Sequence, residues 1–245
     1  DKININLVKR LKSKNYFTYG VNTKSNFFIQ NINQKKEFTE FDININVPNK
    51  KKQKIKKIKI PLIGLHNVRN SVAAAAIAIT VGISIKDIKD GLLRFKGVQR
   101  RFNKIFTFNK VDFFDDYAHH PTEIKSVLDG VNKVYDGYEK VCIFQPHRIS
   151  RLKDLKEQFS FSFKKADVVV LCPIYTAGEK IKLGFNYLKF AREIIKNSKV
   201  KLFLIKNNYE LAKFLKHNIY GKKIVIGMGA GTISQWMRKL PELMK

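Results

Sequence analysis

The run Phe114-Asp115-Asp116-Tyr117-Ala118-His119-His120-Pro121-Thr122-Glu123 holds two carboxylates and two imidazoles between a short apolar segment, VDFF, and a helix start. Proline and threonine suit the first helical positions, and an acid in the first turn complements the helix dipole. A strand that ends in charged groups facing a helix N-terminus is where open α/β sheets bind ligands. The plainer alternative is a strand-to-helix turn carrying a solvated acidic pair. Three further apolar segments end in reactive groups. VCIF is followed by Gln145, Pro146, His147, Arg148 and then Arg151. VVVLCP is followed by Tyr175, Thr176, Gly178 and Glu179, and IVIG by the glycine-rich loop 227–232. Two arginines with two or three histidines on one sheet edge would make an anion site, because the planar guanidinium fork suits carboxylate or phosphate.

These groups share an edge only if the segments before them are parallel strands. From residue 104 onward, apolar runs recur at KIFTF, VDFFDD, KVCIFQP, DVVVLCP, VKLFLIK and KKIVIGMG. Helical patterns lie between most of them, at 122–134, 151–163, 187–197, 209–215 and 233–239. Strands alternating with helices predict right-handed crossovers and a mostly parallel sheet covered on both faces. KIFTF and VDFF, separated by Asn109-Lys110, read as an opening hairpin. Residues 1–60 read differently: NYFTYGV, NFFIQNI and the alternating EFDININV fit half-buried antiparallel strands. KIKIPLIG follows as a last strand. NSVAAAAIAITVGI is a small-residue helix that must pack closely, and IKDIKDGLLRF an amphipathic one. A boundary near Lys96-Gly97 divides the chain into 1–96 and 97–245. The fold class is α/β.

The chain carries 48 Lys and Arg against 20 Asp and Glu, a net charge of +28. That balance points to nucleic acid or an anionic surface. The excess is mostly scattered lysine accompanied by Asn, Ile and Phe, which share A/T-rich codons. The one cluster, Lys50, Lys51, Lys52, Lys54, Lys56, Lys57 and Lys59, reads as a solvated loop running into an edge strand, with a nucleic-acid patch as the alternative. Cys142 and Cys172 sit in apolar runs, without a C-x-x-C, and read as buried thiols in a reducing cytoplasm. No apolar stretch reaches the ~18 residues of a membrane span, and no signal peptide is present. The first residue is Asp1, so the chain is expected to begin inside a longer protein.

Three smaller features have two readings each. GMGAG has G-x-G-x-G spacing and fits a tight strand-to-helix turn, with backbone N–H groups available to an anion, better than a dinucleotide fingerprint. In His66-Asn67-x-x-Asn70, Asn70 can cap the helix that follows or read an adenine edge through its amide. Arg100-Arg101 are two solvated charges or hinge arginines facing a cleft.

Taken together, the strings TYG (18–20), GLHNVRNSVAAAAIA (64–78), GVQRRF (97–102), DDYAHHPTEI (115–124), FQPHRISR (144–151), YTAGE (175–179) and MGAGTI (228–233) resemble the Mur ligases of peptidoglycan synthesis, in that family's order. The resemblance implies that 1–96 is the β-rich and helical end of the central ATPase domain, and 97–245 the C-terminal Rossmann-like domain. It implies an ATP-dependent ligase, with Mg2+, that joins L-alanine to UDP-N-acetylmuramate through an acyl phosphate, in the cytoplasm. The murein-tripeptide recycling ligase is the near alternative. Matched by position, His66 and Asn70 would meet adenine, Arg101 an ATP phosphate and Asp116 the ribose. His119, Arg148 and Arg151 would surround the incoming amino acid, with His120 and His147 beside them. No G-K-[ST] occurs, so the P-loop and most magnesium ligands would lie in a missing N-terminal part, and this chain alone would be inert. Departures from the pattern are Thr232 where Asp is usual, and Ile149 and Leu152 where Tyr and Thr are common. From other classes, a basic nucleic-acid-binding module and a nicotinamide-dependent enzyme remain as alternatives.

Overall fold

A computed structural model of the chain describes residues 8, 10, 16–48, 51–179 and 185–245. Asn15 and Lys50, at the edges of two predicted segments, lie outside the described residues. The chain divides into two compact units, 1–96 and 97–245.

The first unit is a four-stranded sheet in the order β1 (Tyr19–Gly20), β2 (Phe27–Gln34), β3 (Thr39–Ile45) and β4 (Gln53–Ile60). The period-2 residues Phe27, Ile29, Phe41, Ile43 and Ile45 are buried on one face, as alternating half-buried strands require. In β4 the inward residues are Ile55, Ile58 and Ile60. The period slips at a bulge where Lys57 has φ 55° and donates its N–H to Asp42 Oδ1 at 2.9 Å. β4 is an edge of this sheet, with Lys54, Lys56, Lys57 and Lys59 exposed and Lys54 and Lys59 3.6 Å from Asp42 and Glu40. Lysines on an edge discourage further strand pairing.

Two expectations for this unit are corrected. β2, β3 and β4 are antiparallel, but β1 is only two residues long and runs parallel to β2. Pairing stops there because the Asn26 side chain takes the Thr18 N–H at 2.9 Å in place of a neighbouring strand. Helix α1 (Leu65–Thr80) begins five residues before Asn70, so Asn70 lies exposed in the second turn and is not its cap. The entry is Gly64, at φ 96°, a conformation that suits glycine. The buried stripe Val68, Ser71, Val72 and Ala75 keeps HNVRN in helical phase with the alanines. Helix α2 (Ile85–Arg94) follows, capped by Ser84.

The second unit is a six-stranded sheet, in the order β5 (Asn103–Phe108), β6 (Val111–Asp116), β10 (Lys223–Met228), β7 (Glu139–Phe144), β8 (Val168–Leu171) and β9 (Lys201–Leu204). β5 is antiparallel to β6, and every other pair is parallel. Asn109 and Lys110, at φ 47° and 63°, make the two-residue turn of the β5–β6 hairpin. β8 is buried at every position, as are β7 and β10 apart from their first residues. That is the mark of strands covered on both faces. The helices are α3 (Pro121–Val134), α4 (Ile149–Asp154), α5 (Lys156–Ser162), α6 (Tyr187–Ser198), α7 (Asn208–Asn218) and α8 (Ile233–Leu243). The single helix expected over 151–163 is thus two, broken at Leu155, whose φ −116° and ψ 19° leave the helical region. No glycine or proline marks that break.

Candidate functional site

Because β6, β7, β8 and β10 are parallel, the loops that follow them lie along one edge of the second unit's sheet. β10 lies between β6 and β7, so the loops carrying His119 and His147 flank the glycine-rich one.

The carboxylates at the end of β6 work inward. Asp116 is 2% exposed; its Oδ2 accepts the Phe102 N–H at 2.8 Å and its Oδ1 the Ala118 N–H at 2.7 Å. Burial pushes its carboxyl up to about 6, against the pull of those two N–H bonds and of Arg101. Asp115, equally buried, accepts from Ser234 Oγ at 2.5 Å and lies 3.8 Å from Arg100 Nε. Arg100 also donates to the Gly229 carbonyl and lies 4.7 Å over the Tyr117 ring. Arg100 therefore clasps the loops after β6 and β10 together. The exposed Arg101 lies beside it, 5.8 Å from the Tyr117 ring.

The two neighbouring histidines have separate jobs. His120 is the N-cap of α3: its Nδ1 accepts the Thr122 N–H, and Glu123 completes the capping box by accepting its backbone N–H. His119 bonds through Nδ1 to the Tyr117 carbonyl at 2.9 Å, with Glu123 Oε2 3.4 Å from the same nitrogen.

On the adjoining loop, His147 lies with its ring 5.6 Å from His119 and stacks on Tyr175 at 5.4 Å. Arg151 Nη1 donates to His147 Nδ1 at 3.2 Å and to the His147 carbonyl at 3.3 Å. Burial first, then the charges of Arg151, His119 and Arg148, hold the His147 imidazole below its ordinary value. Arg148 is exposed, with φ 69°, and immediately precedes α4. Glu179 reaches across from the loop after β8 to accept the N–H groups of Ile149 (2.7 Å) and Ser150 (3.1 Å) and the Ser150 hydroxyl. Those bonds hold its carboxyl below the usual range. The carboxylate thereby anchors the short helix that carries Arg151.

The glycine-rich loop is packed by its own surroundings. Gln145, 3% exposed, accepts the Ile233 N–H at 2.9 Å and donates to Thr232 Oγ1 at 3.0 Å. A Cβ on Gly231 would come within 2.6 Å of Gln145 Oε1 and 2.5 Å of Tyr175 Cγ. The first α8 amide is thus spent on Gln145.

Of the predicted residues, the sheet edge brings together His119, His147, Arg148 and Arg151. Asp116 and Arg101 lie on the same side at the end of β6. His66 and Asn70 belong to the first unit, four residues apart and so on one face of α1. The connecting roles of Arg100, Gln145 and Glu179 were missed. Glu179 stands in the YTAGE string, but nothing in the sequence links it to residues 29 or 30 positions away. Among the described residues, no group of three or more His, Cys, Asp or Glu is placed to hold a metal ion. No helix among them is long and apolar enough to cross a membrane.

The second unit is thus an α/β domain whose mostly parallel sheet gathers His119, His147, Arg148 and Arg151 at its carboxyl edge. The chain belongs to the Mur ligase family: the family profile described as "Mur ligase, glutamate ligase domain" matches residues 100–231, and that of the "Mur ligase middle domain" matches 1–78. It is 66% identical over 243 residues to the UDP-N-acetylmuramate–L-alanine ligase of Pelagibacter ubique, covering 99% of this chain and 52% of that protein. It is 35% identical over 238 residues to the enzyme of the same name from Brucella ovis, covering 96% and 50%. The chain spans about half the length of the curated relatives it matches. Among solved structures, the UDP-N-acetylmuramate–alanine ligase of Thermotoga maritima superposes with a TM-score of 0.75 at 24% identity, over 92% of this chain and 47% of that one. A murein peptide ligase from Psychrobacter arcticus gives 0.63 at 21%, over 93% and 46%. At these identities the two structures speak to the fold.

Proposed function

We propose that this chain is the middle and C-terminal part of an ATP-dependent ligase that joins L-alanine to the muramyl carboxylate of UDP-N-acetylmuramate. Residues 1–96 would end the ATP-binding domain, and 97–245 would receive the amino acid. The observation that carries the reading is the sheet edge where Arg151 bonds His147, His147 faces His119 and Arg148 stands alongside. L-Alanine offers little to grip beyond its charged ends. Two guanidinium groups match its carboxylate, and an imidazole lone pair matches its amine. The identity to ligases of that name supports the choice of substrate.

ATP would activate the carboxylate as an acyl phosphate, the alanine amine would attack it, and phosphate would leave. This chain's part is to bind and orient the amino acid and to exclude water from the acyl phosphate. Asn70 and His66 on the first unit, and Arg101 and Asp116 on the second, are the proposed nucleotide contacts. Each Asp116 oxygen accepts one backbone N–H and keeps a lone pair with which it could accept a ribose hydroxyl. Among the described residues no three His, Cys, Asp or Glu are grouped to hold Mg2+; its ligands would belong to the rest of the complete enzyme.

The test uses the complete protein encoded by the gene. Its coding sequence upstream of Asp1 should contain a G-T-x-G-K-[ST] loop, and ADP release should require both L-alanine and UDP-N-acetylmuramate. Arg148→Ala should raise the L-alanine KM roughly 10- to 100-fold, the loss of one charge-assisted contact of about 1.5–3 kcal/mol, with the ATP KM nearly unchanged. Equal rises in both would contradict the carboxylate assignment.

A further inference from the structure

We infer that the two imidazoles at the sheet edge are locked in opposite tautomers, so that His119 presents a bare Nε2 that takes the proton of the incoming amine while His147 presents an Nε2–H that only donates. This rests on the ligase reading for its substrate, but the tautomers themselves follow from the partners of the Nδ1 atoms.

The Tyr117 carbonyl can only accept a hydrogen bond, so His119 Nδ1, 2.9 Å away, must carry the hydrogen. In the neutral ring that leaves Nε2 as the lone-pair nitrogen. An arginine N–H can only donate, so His147 Nδ1, 3.2 Å from Arg151 Nη1, must be the acceptor and its Nε2 must carry the hydrogen. The bond made by one ring nitrogen sets the chemistry of the other. The remaining neighbours reinforce the division. Glu123 Oε2, 3.4 Å from His119 Nδ1 and held by the His119 and His120 backbone N–H groups, is placed to stabilise the imidazolium formed when Nε2 takes a proton. His147 instead gives its Nδ1 to Arg151, and burial first, then the charges of Arg151, His119 and Arg148, oppose its protonation against a smaller opposite pull from Glu179. Two rings 5.6 Å apart are thus given a carboxylate on one side and guanidinium groups on the other, the arrangement that separates a base from a donor.

In the proposed reaction L-alanine arrives as a zwitterion. One ammonium proton passes to His119 Nε2, leaving a lone pair on nitrogen. That nitrogen bonds to the acyl carbon, the carbon–oxygen bond to phosphate breaks, and its electron pair leaves with the phosphate. The second excess proton on nitrogen goes to the departing phosphate, and the imidazolium returns its own to water. His147 Nε2–H, with the arginines, donates to the α-carboxylate.

The tautomers can be read directly on this chain by long-range proton–nitrogen correlation of 15N-labelled imidazoles at neutral pH. His119→Gln and His147→Gln assign the two rings among the five histidines. His119 should show a protonated Nδ1 and an unprotonated Nε2, and His147 the reverse. Both rings in one tautomer, or rapid averaging in either, would overturn the inference. In the complete enzyme, His119→Gln should lower kcat at least about 100-fold, the usual contribution of a proton acceptor, with the ATP KM held. His147→Gln retains an N–H at the ε position and should act mainly by raising the L-alanine KM. Equal kcat losses would remove the division of roles. If wild-type complete enzyme releases no ADP in response to L-alanine, the ligase reading fails and the tautomer result still stands.

Discussion

Gln145 is the side chain through which the end of β7 holds the start of α8, and replacing it with leucine isolates that link. Leucine keeps the approximate volume but cannot accept the Ile233 N–H, now 2.9 Å from Oε1, or donate to Thr232 Oγ1. Ile233 is wholly buried, so its amide has no route to water. A stranded buried donor costs about 1–3 kcal/mol, and the Thr232 hydroxyl loses its partner as well. Taking about 2 kcal/mol, and about 2–4 °C per kcal/mol for a domain of this size, thermal unfolding of the second unit should fall by roughly 4–8 °C. Calorimetry gives the midpoint, and native-state hydrogen exchange gives the local effect: the Ile233 amide should lose protection while the centres of β7 and β10 keep theirs. A midpoint lowered by less than about 2 °C, with Ile233 still protected, would show that the helix start does not depend on this bond.

Three further outcomes follow from the same edge. The Asp116 carboxyl is raised from 3.8 unfolded to about 6 folded, so between those values the native state binds more protons, and stability falls as pH rises. The loss attributable to this group is about 3 kcal/mol. Asp116→Asn should flatten that part of the stability–pH profile, and identical slopes would contradict the assignment. Glu179→Ala should raise the L-alanine KM of the complete enzyme about tenfold by releasing α4, with Glu179→Gln recovering part of the loss; an unchanged KM would mean that Arg148 and Arg151 are held without it. Gly229→Ala, at φ 150° and with its Cβ 2.8 Å from the Gln145 carbonyl oxygen, should cost about 2–4 kcal/mol in chemical denaturation; a neutral effect would show that the loop can open there.

What could be read from the sequence was whatever repeats over short distances. The alternation of apolar strands with helical stretches is enough to specify parallel pairing, and parallel pairing alone carries His119, His147 and Arg151 to one edge. Asn70 was misplaced because the alanines at 73–76 look like the helix, while the stripe that sets its phase starts at Val68. The break at Leu155 has no local signal, and neither has the parallel β1, whose pairing is cut short by an asparagine side chain. The contacts that shape the site span longer separations still: Glu179 to Ile149, Gln145 to Ile233, Arg100 to Gly229. The two imidazoles show why those contacts matter. DDYAHHPTE and FQPHR name the rings but not their protons, since a tautomer is decided by the partner on the opposite nitrogen. For His119 that partner is a carbonyl two residues back, and for His147 a guanidinium one helical turn ahead, on a helix held by a carboxylate from another loop. The chemistry each histidine can do is therefore set by the fold around it.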